Sequence, residues 1–506
     1  MSPFLPTSRK EMDALGWDSV DIILFSGDAY VDHPSFGVAV IARVLEAEGY
    51  RVAVVPQPNW QDDLRDFRKL GRPRLFFGVT SGAMDSMVNH YTAAKRLRSD
   101  DAYTPEGRAG ARPDRAVTVY TRILKKLYPD VPVAIGGIEA SLRRERHYDY
   151  WDNTVHPPIL EESGADYLIA GMGEKSIVRL AHALEGGDAG SLPRILYGEL
   201  MTTEELDAVY DLPFTKLPHP RYKGKRIPAY DMIKFSVTTH RGCFGGCNFC
   251  AITAHQGRAI QSRSEDSIVR EIEALVRHPE FKGTITDLGA PTANMYRMGG
   301  RDRSLCAKCV RTSCLFPNRC ANLIHDHTPL LHLYQRVLAI PGVKHVYIGS
   351  GIRYDLFLDE NGFLSEDGRA YFEQLVTKHT SGRLKVAPEH TEDHVLAAMG
   401  KPSFKLFERL SKEFSAVTRK HGLKYQLVPY FMSAHPGCTM KDMEALSRNK
   451  ALHGLYMEQV QDFTPTPMSV STEMFHTGMD PRTGKRIFVE RNIQAKQKQK
   501  SFFFKK

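Results

Sequence analysis

Short apolar runs alternate with helical patterns along most of this chain, and that alternation leaves few architectures open. Residues 21–27 form such a run, as do residues 52–55, 75–79, 131–135 and 167–170. After the first run, Val38, Ile41, Val44 and Leu45 recur at helical spacing until Gly49 stops the helix. Continuous apolar runs suit strands buried on both faces, and strand–helix alternation predicts an α/β doubly wound parallel sheet over residues 1–200. Ligands of such sheets bind at the carboxyl ends of the strands. Those ends carry Ser26-Gly27-Asp28, Ser81-Gly82, Gly136-Gly137 and Gly171-Met172-Gly173-Glu174. Residues 99–114, rich in Gly, Pro and Arg, read as a long loop. Residues 201–228 read as a linker. A second series of runs, at 234–239, 283–288, 345–350, 384–387 and 425–431, predicts a partial (β/α) barrel over residues 229–470 with its active face at the strand C-termini.

Cys243, Cys247 and Cys250 follow the first strand of that second series in a C-x3-C-x2-C loop. A four-iron cluster has four corners, so three thiolates leave one iron for a substrate or cofactor, the logic of an open catalytic site. Gly242, Gly245 and Gly246 suit a tight loop whose N–H groups face an anionic cluster. A partial zinc site or three unrelated thiols is the alternative, and the spacing and the glycines oppose it.

Four more cysteines, Cys306, Cys309, Cys314 and Cys320, lie in a basic insertion at residues 298–322. Four thiolates close a zinc site or hold an auxiliary iron–sulfur cluster. An ordered insertion with little apolar content needs a staple, so zinc is slightly favoured over the cluster. His325 and His327 lie just beyond and read as exposed side chains rather than as substitutes for a cysteine.

Seven of the eight cysteines thus fall in two tight groups, which reads as metal ligation in a reducing compartment. The first ten residues carry no apolar targeting core, and no run has the length of a membrane span. A cytoplasmic protein with no membrane partner is expected. The net charge of +9 invites a nucleic-acid reading, but its location weakens that reading. Nine cations (Arg482, Lys485, Arg486, Arg491, Lys496, Lys498, Lys500, Lys505 and Lys506) face only Glu490 from Arg482 onward. Residues 471–506 therefore read as a basic, flexible tail on a nearly neutral body. A metal-stapled RNA-binding or scaffold protein, using this tail and the Cys306–Cys320 knuckle, is the alternative function.

The C-x3-C-x2-C triplet with Phe249 before its last cysteine resembles the signature of radical S-adenosylmethionine (SAM) enzymes. The resemblance implies a 4Fe–4S cluster on the triplet, SAM chelated at the open iron, and Phe249 packed near the adenine. It also implies reductive cleavage of SAM to a 5′-deoxyadenosyl radical, with flavodoxin or ferredoxin as reductant. At the later strand ends, Arg353 suits a carboxylate, Glu389 an ammonium or ribose hydroxyl, and the small residues around Ser350 leave room for a cofactor. The place where this superfamily often has Gly-Gly-Glu reads Asp287-Leu288-Gly289, so the group that holds the SAM amine stays open. No residue is assigned to the radical step itself.

The ordered motifs Thr238–Cys243, Ser350–Arg353, Ala387–His390, His435–Gly437 and Asp462–Pro467, with the cysteine insertion, resemble the YgiQ-type family of radical SAM proteins, whose reaction and substrate are unassigned. The first domain is similar to the cobalamin-binding domain of B12-dependent relatives. In the cobalt-ligand pattern D-x-H-x-x-G, however, Asp32 is followed by Pro34 at the histidine position. Some relatives bind cobalamin without that ligand; here a degenerate or substrate-binding sheet domain is the preferred reading.

Overall fold

The computed structural model describes residues 3–455 and 457–504; Met1, Ser2, Tyr456, Lys505 and Lys506, the last two counted in the basic tail, lie outside them. The chain divides into two compact units, one containing Met1–Met201 and Glu205–Lys234, the other Phe235–Pro465 and Ser469–Lys506.

The first unit is a six-stranded parallel sheet. Its strands are β1 (Ile22–Ser26), β2 (Val52–Pro56), β3 (Phe76–Thr80), β4 (Val133–Ile135), β5 (Tyr167–Ala170) and β6 (Ile195–Tyr197), in the order 2-1-3-4-5-6. Successive side chains of a strand point to opposite faces, so an unbroken apolar run feeds two cores at once. Ile22 and Leu24 of β1 pack with Val52 and Val54 under helices α1 (Gly37–Ala47) and α3 (Glu174–Gly186). Ile23 and Phe25 pack with Ala53 and Val55 under α2 (Ala116–Leu127), through Val117, Tyr120 and Leu124. The sheet is doubly wound for this reason.

Two expectations change here. Residues 201–228 are not a bare linker: Tyr222 and Ile227 are buried in the same core as β1, and a helix spans Thr203–Tyr210. The loop at 99–114 is tied down by a buried cation. Arg112 Nη2 lies 2.8 Å from Asp28 Oδ1 and 2.9 Å from Asp101 Oδ2, and its Nη1 donates to the Ser81 carbonyl at 2.6 Å. Arg112 thereby fills the crevice at the ends of β1 and β3. Beside it, a cavity of about 480 Å³ opens past the end of β2, lined by Gln57, Trp60, Arg108 and Arg221.

The second unit is the partial (β/α) barrel. Strands β7 (Ser236–Thr238), β8 (Thr284–Ile285), β9 (Asp287–Gly289) and β10 (His345–Val346) pair in parallel, β9 with β7 and β8 with β10. Strands β11 (Arg383–Glu389), β12 (Gln426–Ser433) and β13 (Gln459–Asp462) form a second parallel group. Helices α4 (Glu265–Val276), α5 (Thr328–Leu338), α6 (Glu366–Lys378), α7 (Phe404–Lys420) and α8 (Met440–Ser447) alternate with them and share one apolar core.

Of the flexible tail expected at 471–506, the described residues 471–504 are instead structured. Helix α9 (Ile493–Ser501) buries Lys496, whose ammonium donates to the Phe463 carbonyl at 3.1 Å, and Phe503 packs on Phe431 with ring centroids 5.6 Å apart. A lysine tract looks solvated in composition, yet here a long aliphatic stem reaches an interior acceptor. Among the described residues no helix is long and apolar enough to cross a membrane.

Candidate active site at the barrel mouth

The loop after β7 carries the cysteine triplet, and its shape depends on glycine. At Gly242 φ is +89°, and an added Cβ would stand 2.1 Å from the Ala259 carbonyl oxygen. At Gly246 φ is +60°, and an added Cβ would meet the Thr312 carbonyl oxygen at 2.2 Å. A left-handed residue other than glycine costs about 1–2 kcal/mol before any clash is counted. Gly246→Ala is therefore expected to lower the iron held by the triplet several-fold while leaving far-UV circular dichroism unchanged; full iron loading of the variant would show the loop to be adaptable.

Neighbouring elements hold the loop by its backbone and side chains. The Asn248 N–H donates to the Met399 carbonyl at 2.9 Å and its Nδ2 to the Ala398 carbonyl at 2.7 Å, while its own carbonyl accepts from the Ser471 N–H at 2.9 Å. Cys243 Sγ lies 3.2 Å from Thr292 Oγ1, and the Gly245 N–H donates to the same sulfur at 3.4 Å. His240, just upstream, is buried between Thr239 and the Thr292 carbonyl, and burial lowers its pKa to about 3.

The three thiols form one electrostatic group. Burial pushes the Cys250 thiol up to about 12, and the charges of Cys247 and Cys243 act in the same direction. Burial also raises Cys243. Arg353 joins them: its Nη1 donates to Cys247 Sγ at 3.2 Å, while Nε and Nη2 bind Asp355 at 2.9 and 2.5 Å. Burial opposes the guanidinium charge, but Asp355 and Cys247 hold it protonated well above its usual range. Glu389, at the bulged end of β11 with φ +71°, faces the same group; burial raises its pKa against the pull of Lys401 and Arg353. Phe249 is half-buried and meets the edge of His435 at 6.2 Å. The His435 Nδ1–H donates to the Pro436 carbonyl at 2.8 Å, so Nε2 accepts from the Ser471 hydroxyl at 2.7 Å.

Ser350 has a different neighbour. Its hydroxyl donates to the Asp287 carboxylate, which also accepts the Gly349 N–H at 2.8 Å. This engages the carboxylate of the Asp287-Leu288-Gly289 stretch. Thr292, Asn294, Asp355 and Lys401 were not singled out from the sequence. Asp355, two residues after Arg353, was the one carrying a readable signal, as a fork-shaped partner for the guanidinium.

The insertion lies against this loop. Ser313 Oγ donates to the Gly245 carbonyl at 2.7 Å and the Cys314 N–H to the Phe244 carbonyl at 3.0 Å. Cys306, Cys309 and Cys320 all act electrostatically on Cys314, so the four thiols are assembled in one place. His327 is buried rather than exposed, stacked on Tyr371 at 4.5 Å with its N–H donating to Asp367 at 2.8 Å.

A parallel-sheet domain followed by a partial barrel, with three clustered cysteines after the first barrel strand, defines a radical SAM protein. The family model described as Radical SAM N-terminal matches residues 4–198 and 196–236, and a domain of unknown function, DUF3362, matches residues 458–504. A UPF0313 protein of Bacteroides thetaiotaomicron is 50% identical, with 100% of this chain and 94% of that relative covered. The UPF0313 protein YgiQ of Salmonella typhimurium is 41% identical, covering 95% and 82%. The chain belongs to the UPF0313 family, of which YgiQ is a member. The radical SAM methyltransferase TsrM from Kitasatospora setae, solved with cobalamin and a [4Fe-4S] cluster bound, shares the fold with a TM-score of 0.53 at 16% identity, covering 96% of this chain and 85% of that one.

The cobalt-ligand position of the first domain does not present an imidazole. Asp32 is buried against Arg43, at 2.6 Å, and accepts the Thr215 N–H at 2.8 Å, while His33 Nδ1 accepts from the Ser35 N–H at 3.1 Å. These residues do not fit a histidine-ligated cobalt.

Proposed function

We propose that this protein is a radical SAM enzyme that binds a 4Fe–4S cluster through Cys243, Cys247 and Cys250 and cleaves SAM reductively. The observation that carries the reading is three cysteines, and three only, in a glycine-shaped loop at the mouth of a parallel barrel, with Arg353 and Glu389 facing them. When bound, the cluster supplies one electron to the SAM sulfonium, releasing methionine and a 5′-deoxyadenosyl radical.

The chain's own residues then have defined work. Thr292, Gly245 and Arg353 place hydrogen-bonding groups or a positive charge beside Cys243 and Cys247, orienting the sulfurs that would hold the metal. Phe249, braced by His435, supports an apolar wall for the adenine. Glu389 is the carboxylate available to the SAM amine, with Asp287 engaged by Ser350 and Gly349. Ser350 thus shapes the pocket through Asp287.

Anaerobically reconstituted protein is expected to form 5′-deoxyadenosine and methionine in equal amounts under dithionite, as read by chromatography. Protein carrying a triplet-bound four-iron cluster that forms neither would overturn the reading. The RNA-binding or scaffold alternative gains nothing here, since Lys496 of its basic tail is interior.

A further inference from the structure

The insertion's four cysteines have no part in SAM cleavage as proposed, yet their geometry is informative. Backbone turns deliver them in pairs: the Cys309 N–H donates to the Cys306 carbonyl at 3.1 Å and the Cys320 N–H to the Cys314 carbonyl at 2.8 Å. None is in a disulfide. Zinc holds four thiolates at about 2.3 Å, which puts the sulfurs about 3.8 Å apart at the corners of a tetrahedron. Among the described residues, no three of these sulfurs lie within 4.8 Å of one another. Nor, among the described residues, do the three sulfurs of Cys243, Cys247 and Cys250 all lie within 4.8 Å of one another. A cube of four irons, whose thiolates cap separate corners, is broad enough to meet sulfurs set this way.

We propose that Cys306, Cys309, Cys314 and Cys320 bind a second 4Fe–4S cluster, closed by four protein ligands, through which the electron for SAM cleavage enters. The metal assignment stands on the insertion alone; the relay rests on the function proposed for the triplet. It reverses the slight preference for zinc drawn from composition, because the sulfur spacing favours the larger group.

Placement supports the relay. Phe244, Leu315 and Met298 form one apolar floor against which Cys243, Cys314 and Cys320 all pack. The Cys314 N–H to Phe244 carbonyl bond crosses directly from one cysteine set to the other. On the outer side Cys306 is exposed, flanked by the exposed Leu305 and Val310 and by Arg301, Arg303 and Lys308. Apolar tips among cations suit an acidic protein donor carrying a low-potential flavin or iron–sulfur centre. The donor loses one electron and the second cluster gains it. That cluster then returns to its oxidised form as the triplet cluster is reduced, with no atom transferred. Zinc has no redox step to offer.

The test uses the full chain with Cys243, Cys247 and Cys250 all changed to Ala. About four irons per chain, no zinc and an EPR signal after dithionite are expected. The variant should oxidise reduced flavodoxin by one electron per chain in stopped flow, an activity lost when all seven clustered cysteines are Ala. About one zinc and no iron would overturn the assignment, and iron without flavodoxin oxidation would overturn the relay. The unaltered chain gives a second reading that does not depend on the variant folding: about eight irons without zinc supports the proposal, about four with one zinc refutes it. If iron is the same with and without the triplet, the triplet assignment fails and the insertion site stands.

Discussion

Changing Cys243, Cys247 and Cys250 to Ala is expected to remove about four irons per chain and to reduce 5′-deoxyadenosine formation to the level of protein-free buffer. The three sulfurs sit on one short loop held by Asn248, Thr292 and Arg353, so no other thiol stands in the same place to replace them. Any single replacement leaves two ligands on a cube that already has an open corner, and each is expected to lose most of the triplet's iron, up to about four irons per chain. Burial raises the Cys243 and Cys250 thiols, so cluster binding there must release protons. Iron loading is therefore expected to rise with pH. Retention of SAM cleavage by the triple variant would remove the basis for the proposed function.

The second large effect belongs to the first unit. Arg112→Ala is expected to destabilise it by about 3–5 kcal/mol, because Asp28 and Asp101 would remain interior without their shared cation. For a unit of this size that is a fall in melting temperature of roughly 10 °C. Asp28 keeps the Ala83 N–H as a donor at 2.6 Å, which alone does not compensate a buried charge. Combining Arg112→Met with Asp28→Asn and Asp101→Asn should recover part of the loss, since the buried charges go together. A change below about 0.5 kcal/mol in urea denaturation for Arg112→Ala would show that water reaches these carboxylates.

The parts of the fold that were legible are those where one residue type does one job. The runs that became β1 to β5 are continuous and apolar because both their faces are covered, and glycine or serine follows all of them but β2, which ends at Pro56-Gln57. Strand β6 is short and half-exposed, and β13 reads Gln-Val-Gln-Asp, so neither carries the apolar signal of a buried strand. The segments read as linker and tail misled for a common reason: a few anchors, Tyr222 and Ile227 in one, Lys496 and Phe503 in the other, outweigh the polar residues around them. In the site, cysteine spacing was legible because ligand chemistry restricts it. Thr292 and Asn248 were not, since a neutral side chain that meets its partner across the barrel leaves no periodicity. The sulfur spacing in the insertion was likewise beyond composition, which supplies four thiols but not the distances between them.

The tether between Asn248 and Ser471 has a consequence for the order of events in synthesis. Ser471 leaves the ribosome only after every strand of the barrel, and Gln499, which accepts the Ala434 N–H at 3.0 Å and donates to the Cys438 carbonyl at 3.4 Å, emerges later still. Until then the cysteine loop lacks one of its anchors and the end of β12 lacks its cover. On the function proposed above, the nascent chain would pass through a stage in which the triplet is open to iron–sulfur assembly and to oxygen alike. With the cluster bound as proposed, metal delivery and oxidative damage would compete during that interval, which closes once Ser471 and Gln499 have emerged.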